Sequence, residues 1–140
     1  MERSTEVSQY KGNTISDLML AVAFYENRSK GFSAWLKDVI KVAKEVFPYY
    51  LPITTRKDEN VSLRMAVIYI SHWKWSPAVS LKHLGAELAL CLDRDKKIDH
   101  ATILHNINEH KKRLSTRFSY EEYIVLFTTF RERLKEKNLL

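Results

Sequence analysis

Apolar residues recur every three or four positions along most of this chain, and this spacing restricts the fold more than any other feature of the sequence. Leu81, Leu84 and Leu88 show the spacing, as do Ile103 and Ile107. No alternating pattern typical of a half-buried strand stands out, and three glycines and three prolines are few helix breakers for 140 residues. The sequence therefore predicts an all-α protein.

Caps and breakers divide this pattern into about six helices. The first two span about 14–27 and 33–47, with Gly31 between them and Ser33 as the cap of the second. The apolar segment 61–70 predicts a central helix, although its β-branched residues leave a strand open. The remaining helices are expected to begin after Ser80, Asp99 and Ser119.

The domain organisation follows from these helices. Residues 1–53 are expected to form an N-terminal helical pair that packs on a core built by residues 54–140, within one compact domain. Gly85 lies in the middle of the helix that follows Ser80. A glycine there costs on the order of 1 kcal/mol against alanine, and a common reason to keep it is the close approach of another helix.

Charge and composition narrow the classes of partner. A net charge of +6 and a pI near 9.4 favour an acidic partner such as nucleic acid over an anionic membrane surface. Cys91 is the only cysteine, which excludes a disulfide framework and a thiolate zinc site and fits a reducing, cytoplasmic setting. The longest apolar run, residues 18–25, is far below the ~20 residues that cross a bilayer. No membrane partner, cofactor, metal ion or enzymatic activity is predicted.

The segment DHATILH, residues 99–105, has the pattern of a capped helix start. Asp99 can accept hydrogen bonds from the free N–H groups of the first turn, and Thr102 follows three residues later. Apolar residues recur behind them at helical spacing and predict a core face: Ile103, Leu104, Ile107 and Leu114. The first turn is therefore left free to contact a partner.

Two segments together resemble a known family. SLKHLG at residues 80–85 followed by DHATILHN at residues 99–106 resembles the signature of the C-terminal DNA-binding domain of the bacterial replication initiator DnaA, over about residues 61–114. The resemblance implies a Trp-repressor-like helix-turn-helix that binds double-stranded DNA in replication or transcription control. The ATPase module of the family has no match, since the chain has no GxxxxGK run.

The resemblance also implies roles for individual residues. Asp99, His100 and Ala101 stand where the family reads base edges in the major groove. Thr102 stands where the family supports the helix start and contacts a nearby phosphate. Ser80 and Lys82 would lie along the DNA backbone.

Three departures from the family pattern are visible. Ten residues separate Leu88 from Asp99, where the family has a short link that contains glycine. Ala101 replaces the commoner Thr or Ser and keeps only a methyl group that can touch a thymine methyl, so the target sequence is expected to differ from the initiator's own. The family's Arg-Pro-Arg-Gln run, whose first arginine enters the minor groove, is missing. Three basic residues could substitute for that arginine: Arg56, Lys57 or Arg64.

The histidines and the basic run of this segment allow other interpretations. If the family motif is set aside, the sequence indicates that His100 is a buried or capping histidine. Histidines 100, 105 and 110 are five residues apart, which rotates successive side chains by about 140° and prevents a shared metal ion. The basic run 110–113, with Arg117, is either a solvated helix end or a set of phosphate contacts that includes Lys112.

A second function class stays open beside DNA binding. A protein-interaction module could keep the initiator-like fold without binding DNA and use the helices of residues 1–52 as its contact surface. The missing minor-groove arginine and the long turn favour this alternative. A monomer is the expectation that the family resemblance gives.

Overall fold

The computed structural model describes residues 14–48, 58–116 and 120–140, with the side chains of the first helix at 18, 19 and from 31 onward, and those of the second from 59. These residues form five α-helices and no strand. The helices are α1 (Thr14–Val46), α2 (Asp58–Trp75), α3 (Leu81–Cys91), α4 (His100–Ser115) and α5 (Glu121–Glu136). The prediction of an all-α protein is confirmed.

The first helix corrects one prediction. The two helices expected at 14–27 and 33–47 are one continuous helix, α1, so Gly31 lies inside it and Ser33 caps nothing. A glycine within a helix costs only about 1 kcal/mol. The turns after Gly31 bury Phe32 and Leu36 completely, and this burial outweighs the cost of the glycine. Pro48 follows the end of the helix, as expected from its missing N–H.

The central helix is α2, which contacts all four other helices. Leu63 and Val67 are buried on one face of α2, and Met65 and Ile68 are buried on another. The strand that the β-branched residues of 61–70 left open is therefore excluded, and the helical prediction is confirmed. Because several helices surround α2, nearly every side of it is apolar, and the core lies around it.

Two helices end in the same way, without glycine. After α3, the N–H of Arg94 donates to the Ala89 carbonyl at 2.9 Å and that of Asp93 to the Leu90 carbonyl at 3.2 Å. This is the Schellman arrangement, which needs one residue in the left-handed region. Asp93 takes that conformation with φ 54°. Asparagine and aspartate tolerate it better than other side chains, so the turn before α4 begins in a defined geometry.

The end of α5 repeats this geometry at Asn138, whose φ is 59°. The N–H of Leu139 donates to the Leu134 carbonyl at 2.9 Å, as Arg94 does to Ala89. The Leu139 carbonyl then accepts a hydrogen bond of 2.7 Å from the Trp35 indole of α1. The C-terminal residues are thereby tied to the first helix.

His110 is part of the core, which corrects its assignment to an exposed basic run. Its side chain is 0% exposed. Nδ1 lies 2.6 Å from the Tyr123 hydroxyl of α5, and the ring stacks on Tyr69 of α2 with centroids 3.7 Å apart. Burial and the nearby charge of Lys111 lower the pKa of His110 to about 4. The imidazole is therefore neutral and holds α2, α4 and α5 together.

We expect acid to destabilise the fold through His110. The unfolded imidazole binds a proton near its ordinary pKa of 6.5, whereas the folded one stays neutral down to about 4. The free energy of unfolding is therefore unaffected by His110 above about pH 6.5. It decreases as the pH falls from 6.5 toward 4, by at most about 3 kcal/mol. Urea unfolding of the wild type and of His110→Gln between about pH 7 and about pH 4.5 measures this loss.

The variant should lose less stability than the wild type over the same pH interval. His72, whose pKa is also lowered by burial, is unchanged in both proteins and contributes equally to them. Parallel pH profiles for the two proteins would show that His110 does not govern the acid sensitivity.

Candidate nucleic-acid interface

The helices α3 and α4 both begin at a side-chain cap. The Ser80 hydroxyl oxygen accepts a hydrogen bond of 3.1 Å from the His83 N–H. The Asp99 carboxylate accepts one of 2.8 Å from the Thr102 N–H. Each cap satisfies one of the N–H groups that a helix start leaves unpaired. Both predicted helix starts are confirmed.

Asp99 is exposed, and it is ionised at neutral pH. The backbone N–H of Thr102, followed by the Thr102 hydroxyl, holds the pKa of this carboxyl below its usual range. The carboxylate is therefore an acceptor only, and it binds the helix start while it stays exposed to solvent.

The first turn of α4 is exposed, while the residue directly behind it is buried. His100, Ala101 and Thr102 face solvent, and Ile103 is 0% exposed. The interpretation of His100 as a buried histidine is therefore wrong. Leu104 is 45% exposed and does not belong to the core face, because one helical step of about 100° turns it away from Ile103.

The turn of residues 92–99 is held against α3 at Gly85. A Cβ added to Gly85 would overlap the Ile98 carbonyl oxygen and lie 3.4 Å from the Ile103 side chain. The Ile98 N–H donates to the Gly85 carbonyl at 3.4 Å. The sequence predicted the close approach of another helix. The segment that approaches is instead the backbone of the turn, one residue before Asp99.

A polar groove runs between α2, this turn and α4, and we call it the α2–α4 groove. Its volume is about 560 Å³, and Arg64, Arg94, Thr102, His105 and Arg113 are among its lining residues. Arg64 of α2, a predicted minor-groove contact, therefore lies on the same surface as Thr102 of the first turn of α4. The groove thus combines arginines with hydrogen-bonding side chains.

Three of the described arginines line the groove. Arg113 pairs with Glu109 at 3.3 Å and donates to the Ser62 hydroxyl at 3.1 Å. The other two are Arg64 on α2 and Arg94 in the turn. Arg94 is not singled out by the sequence, because only the folded turn brings it to the groove that Thr102 also lines. The sequence feature that could have identified Arg94 is its position in the turn just before DHATILH.

The other predicted contact residues lie at separate places. Ser80 and Lys82 are exposed at the start of α3, and Lys112 is exposed in the last turn of α4. None of the three lines the α2–α4 groove. Arg56 and Lys57 lie outside the described residues.

Neither a metal site nor a membrane span is found in the part of the chain that the structure describes. There, no three His, Cys, Asp or Glu side chains are grouped so that they could hold a metal ion. None of the described helices has the length and apolarity needed to cross a bilayer. Burial raises the pKa of the Cys91 thiol, so this half-buried cysteine is protonated at neutral pH.

Comparison of the chain with known protein families, with curated proteins and with solved structures found no match. The resemblance of residues 80–85 and 99–106 to the initiator signature therefore stays a prediction.

Gly85 provides a direct test of how the turn is held. We expect Gly85→Ala to destabilise the protein by about 1–3 kcal/mol, because the new methyl group meets a backbone carbonyl that cannot rotate away. Gly31→Ala is the matched control, since its Cβ would lie 3.5 Å from the Trp75 ring, an ordinary contact. The free energy of unfolding of Gly31→Ala should rise by up to about 1 kcal/mol, because alanine has a higher helix propensity than glycine.

Urea unfolding of the two variants and the wild type measures both effects. Equal stabilisation of the two variants would mean that the Ile98 backbone does not lie against α3.

Proposed function

We propose that this protein binds double-stranded DNA by placing the first turn of α4 in the major groove. One observation carries the proposal. Residues 99–102 are exposed at a capped helix start, and Thr102 lines the same groove as Arg64 and Arg94. A helix start with short polar side chains reads base edges, while arginines beside it neutralise phosphates. The net charge of +6 supports an acidic partner.

The chemistry of the first turn suits base edges. The exposed Asp99 carboxylate can accept a hydrogen bond from a cytosine amino group, and its negative charge disfavours a phosphate at the same place. The exposed His100 imidazole can donate to a purine N7. Ala101 offers a methyl group to a thymine methyl. Thr102 holds the helix start, since its N–H and hydroxyl both bind Asp99.

Phosphate contacts would come from the surrounding basic and polar residues. Arg64 and Arg94 would bind the strand that passes the α2–α4 groove. Arg56 and Lys57 are further candidates for the minor groove. Three exposed residues would bind the DNA backbone on either side of α4: Ser80, Lys82 and Lys112.

The wider context is part of the same proposal. We infer that α3, the turn and α4 form a Trp-repressor-like helix-turn-helix, supported by the SLKHLG and DHATILHN segments and by the two capped helix starts. Such a unit would act in replication or transcription control in the cytoplasm, as a monomer. The Schellman turn at Asp93 supplies the defined geometry that the family obtains with glycine.

A second candidate is a protein-interaction module that uses α1 as its contact surface. Leu18 and Met19 are exposed on this helix, and exposed apolar residues favour contact with another protein. Pull-down partners that persist after nuclease treatment and are unaffected by His100→Ala would support this candidate.

Fluorescence anisotropy with labelled duplexes tests DNA binding. We expect the chain to bind both a random sequence and an initiator-box duplex at low salt, with affinity that falls steeply as salt rises. His100→Ala should cost about 1–3 kcal/mol of sequence preference and little non-specific affinity. Arg94→Gln should weaken binding to every duplex. It should also reduce the salt slope, which is the slope of the logarithm of the binding constant against that of the salt concentration, by about one.

Lys137→Gln is the control for Arg94→Gln, because Lys137 is exposed beyond the end of α5 and pairs with Glu45 of α1. It should leave affinity and salt slope nearly unchanged. Absence of binding to either duplex at low salt would rule out the proposed function.

A further inference from the structure

A second cavity lies between α2, α4 and α5, and it differs from the α2–α4 groove in being mostly apolar. Its volume is about 380 Å³, within the range of pockets that hold small molecules. Tyr69, Ile70, Leu114 and Phe127 form apolar walls. His110, which no step of DNA binding uses, also lines it. We call it the His110 cavity.

His110 presents an unsatisfied donor in this cavity. Nδ1 is paired with the Tyr123 hydroxyl, whereas the buried Nε2 has no hydrogen-bond partner. Burial raises the pKa of Tyr123, so its hydroxyl keeps its proton. If Tyr123 donates this proton to Nδ1, both groups are used, and the neutral ring carries its own proton on Nε2. We assign this tautomer, which makes Nε2–H a donor without an acceptor.

Positive charge lies on the α5 side of the same cavity. Arg131 and Lys135 both line it. They share one carboxylate, since Glu132 lies 3.7 Å from Arg131 Nε and 3.4 Å from Lys135 Nζ. Two cations facing one carboxylate leave an excess of one positive charge. The Arg131 Nε is also buried without a hydrogen-bond partner.

The geometry points to a binding site for a small apolar carboxylic acid. Its ring or chain would lie against the apolar walls of the cavity, and its carboxylate would accept hydrogen bonds from His110 Nε2 and from Arg131. The walls favour an apolar body. His110 Nε2 and Arg131 Nε lack hydrogen-bond partners and favour an acceptor, and the excess positive charge selects an anionic one. This inference rests on the His110 cavity alone and does not depend on DNA binding.

The test is an NMR titration of the full chain with 3-phenylpropionate and, as the neutral isostere, 3-phenylpropanamide. The acid should bind about tenfold more tightly than the amide and shift the resonances of Tyr69, His110 and Phe127. Arg131→Gln should weaken acid binding about tenfold and leave amide binding unchanged. Arg133→Gln is the matched control on the same helix, because Arg133 is exposed and does not line the cavity.

A second variant keeps the test decisive if the charge changes disturb the fold. Leu114→Trp fills the cavity from its half-buried rim and should abolish binding of both compounds. Equal affinity for acid and amide, binding that survives Leu114→Trp, or no binding of the acid up to about 10 mM would overturn the proposal.

Discussion

The contact between Gly85 and the backbone of Ile98 determines where α4 begins. Because Gly85 has no side chain, the Ile98 carbonyl can lie directly against α3, and the Ile98 N–H reaches the Gly85 carbonyl. The next residue, Asp99, caps α4. The Ile103 side chain lies beside the same glycine. One close approach therefore positions the turn, the cap and the first turn of the candidate recognition helix.

The opposite end of α4 is held in a different way. His110 stacks on Tyr69 of α2 and binds Tyr123 of α5, so it prevents rotation of the helix about its axis. Arg113 adds a hydrogen bond to Ser62 of α2. With both ends held, the exposed face of the first turn has one orientation relative to the arginines of the α2–α4 groove. A rigidly presented first turn is what base recognition requires.

Local signals in the sequence predicted much of this fold, and tertiary contacts account for what they missed. Ser80 and Asp99 were identified as helix starts because a cap acts on its own first turn. Gly31 does not break the helix as its residue type predicts, because its cost is offset by burial of Phe32 against the ring of Trp75, a residue distant in sequence. The burial of His110 depends on two other helices. Arg94 and Thr102 line one groove only because the turn before α4 is folded.

If the proposed function holds, the first turn of α4 and the arginines beside it form one DNA-binding surface. Chemical-shift mapping of the isotope-labelled full chain with a short DNA duplex tests it most directly. We expect the largest chemical-shift changes on residues 99–102 and on Arg64 and Arg94, with small changes along α5. Changes centred on α1 or α5, with residues 99–102 unaffected, would contradict it.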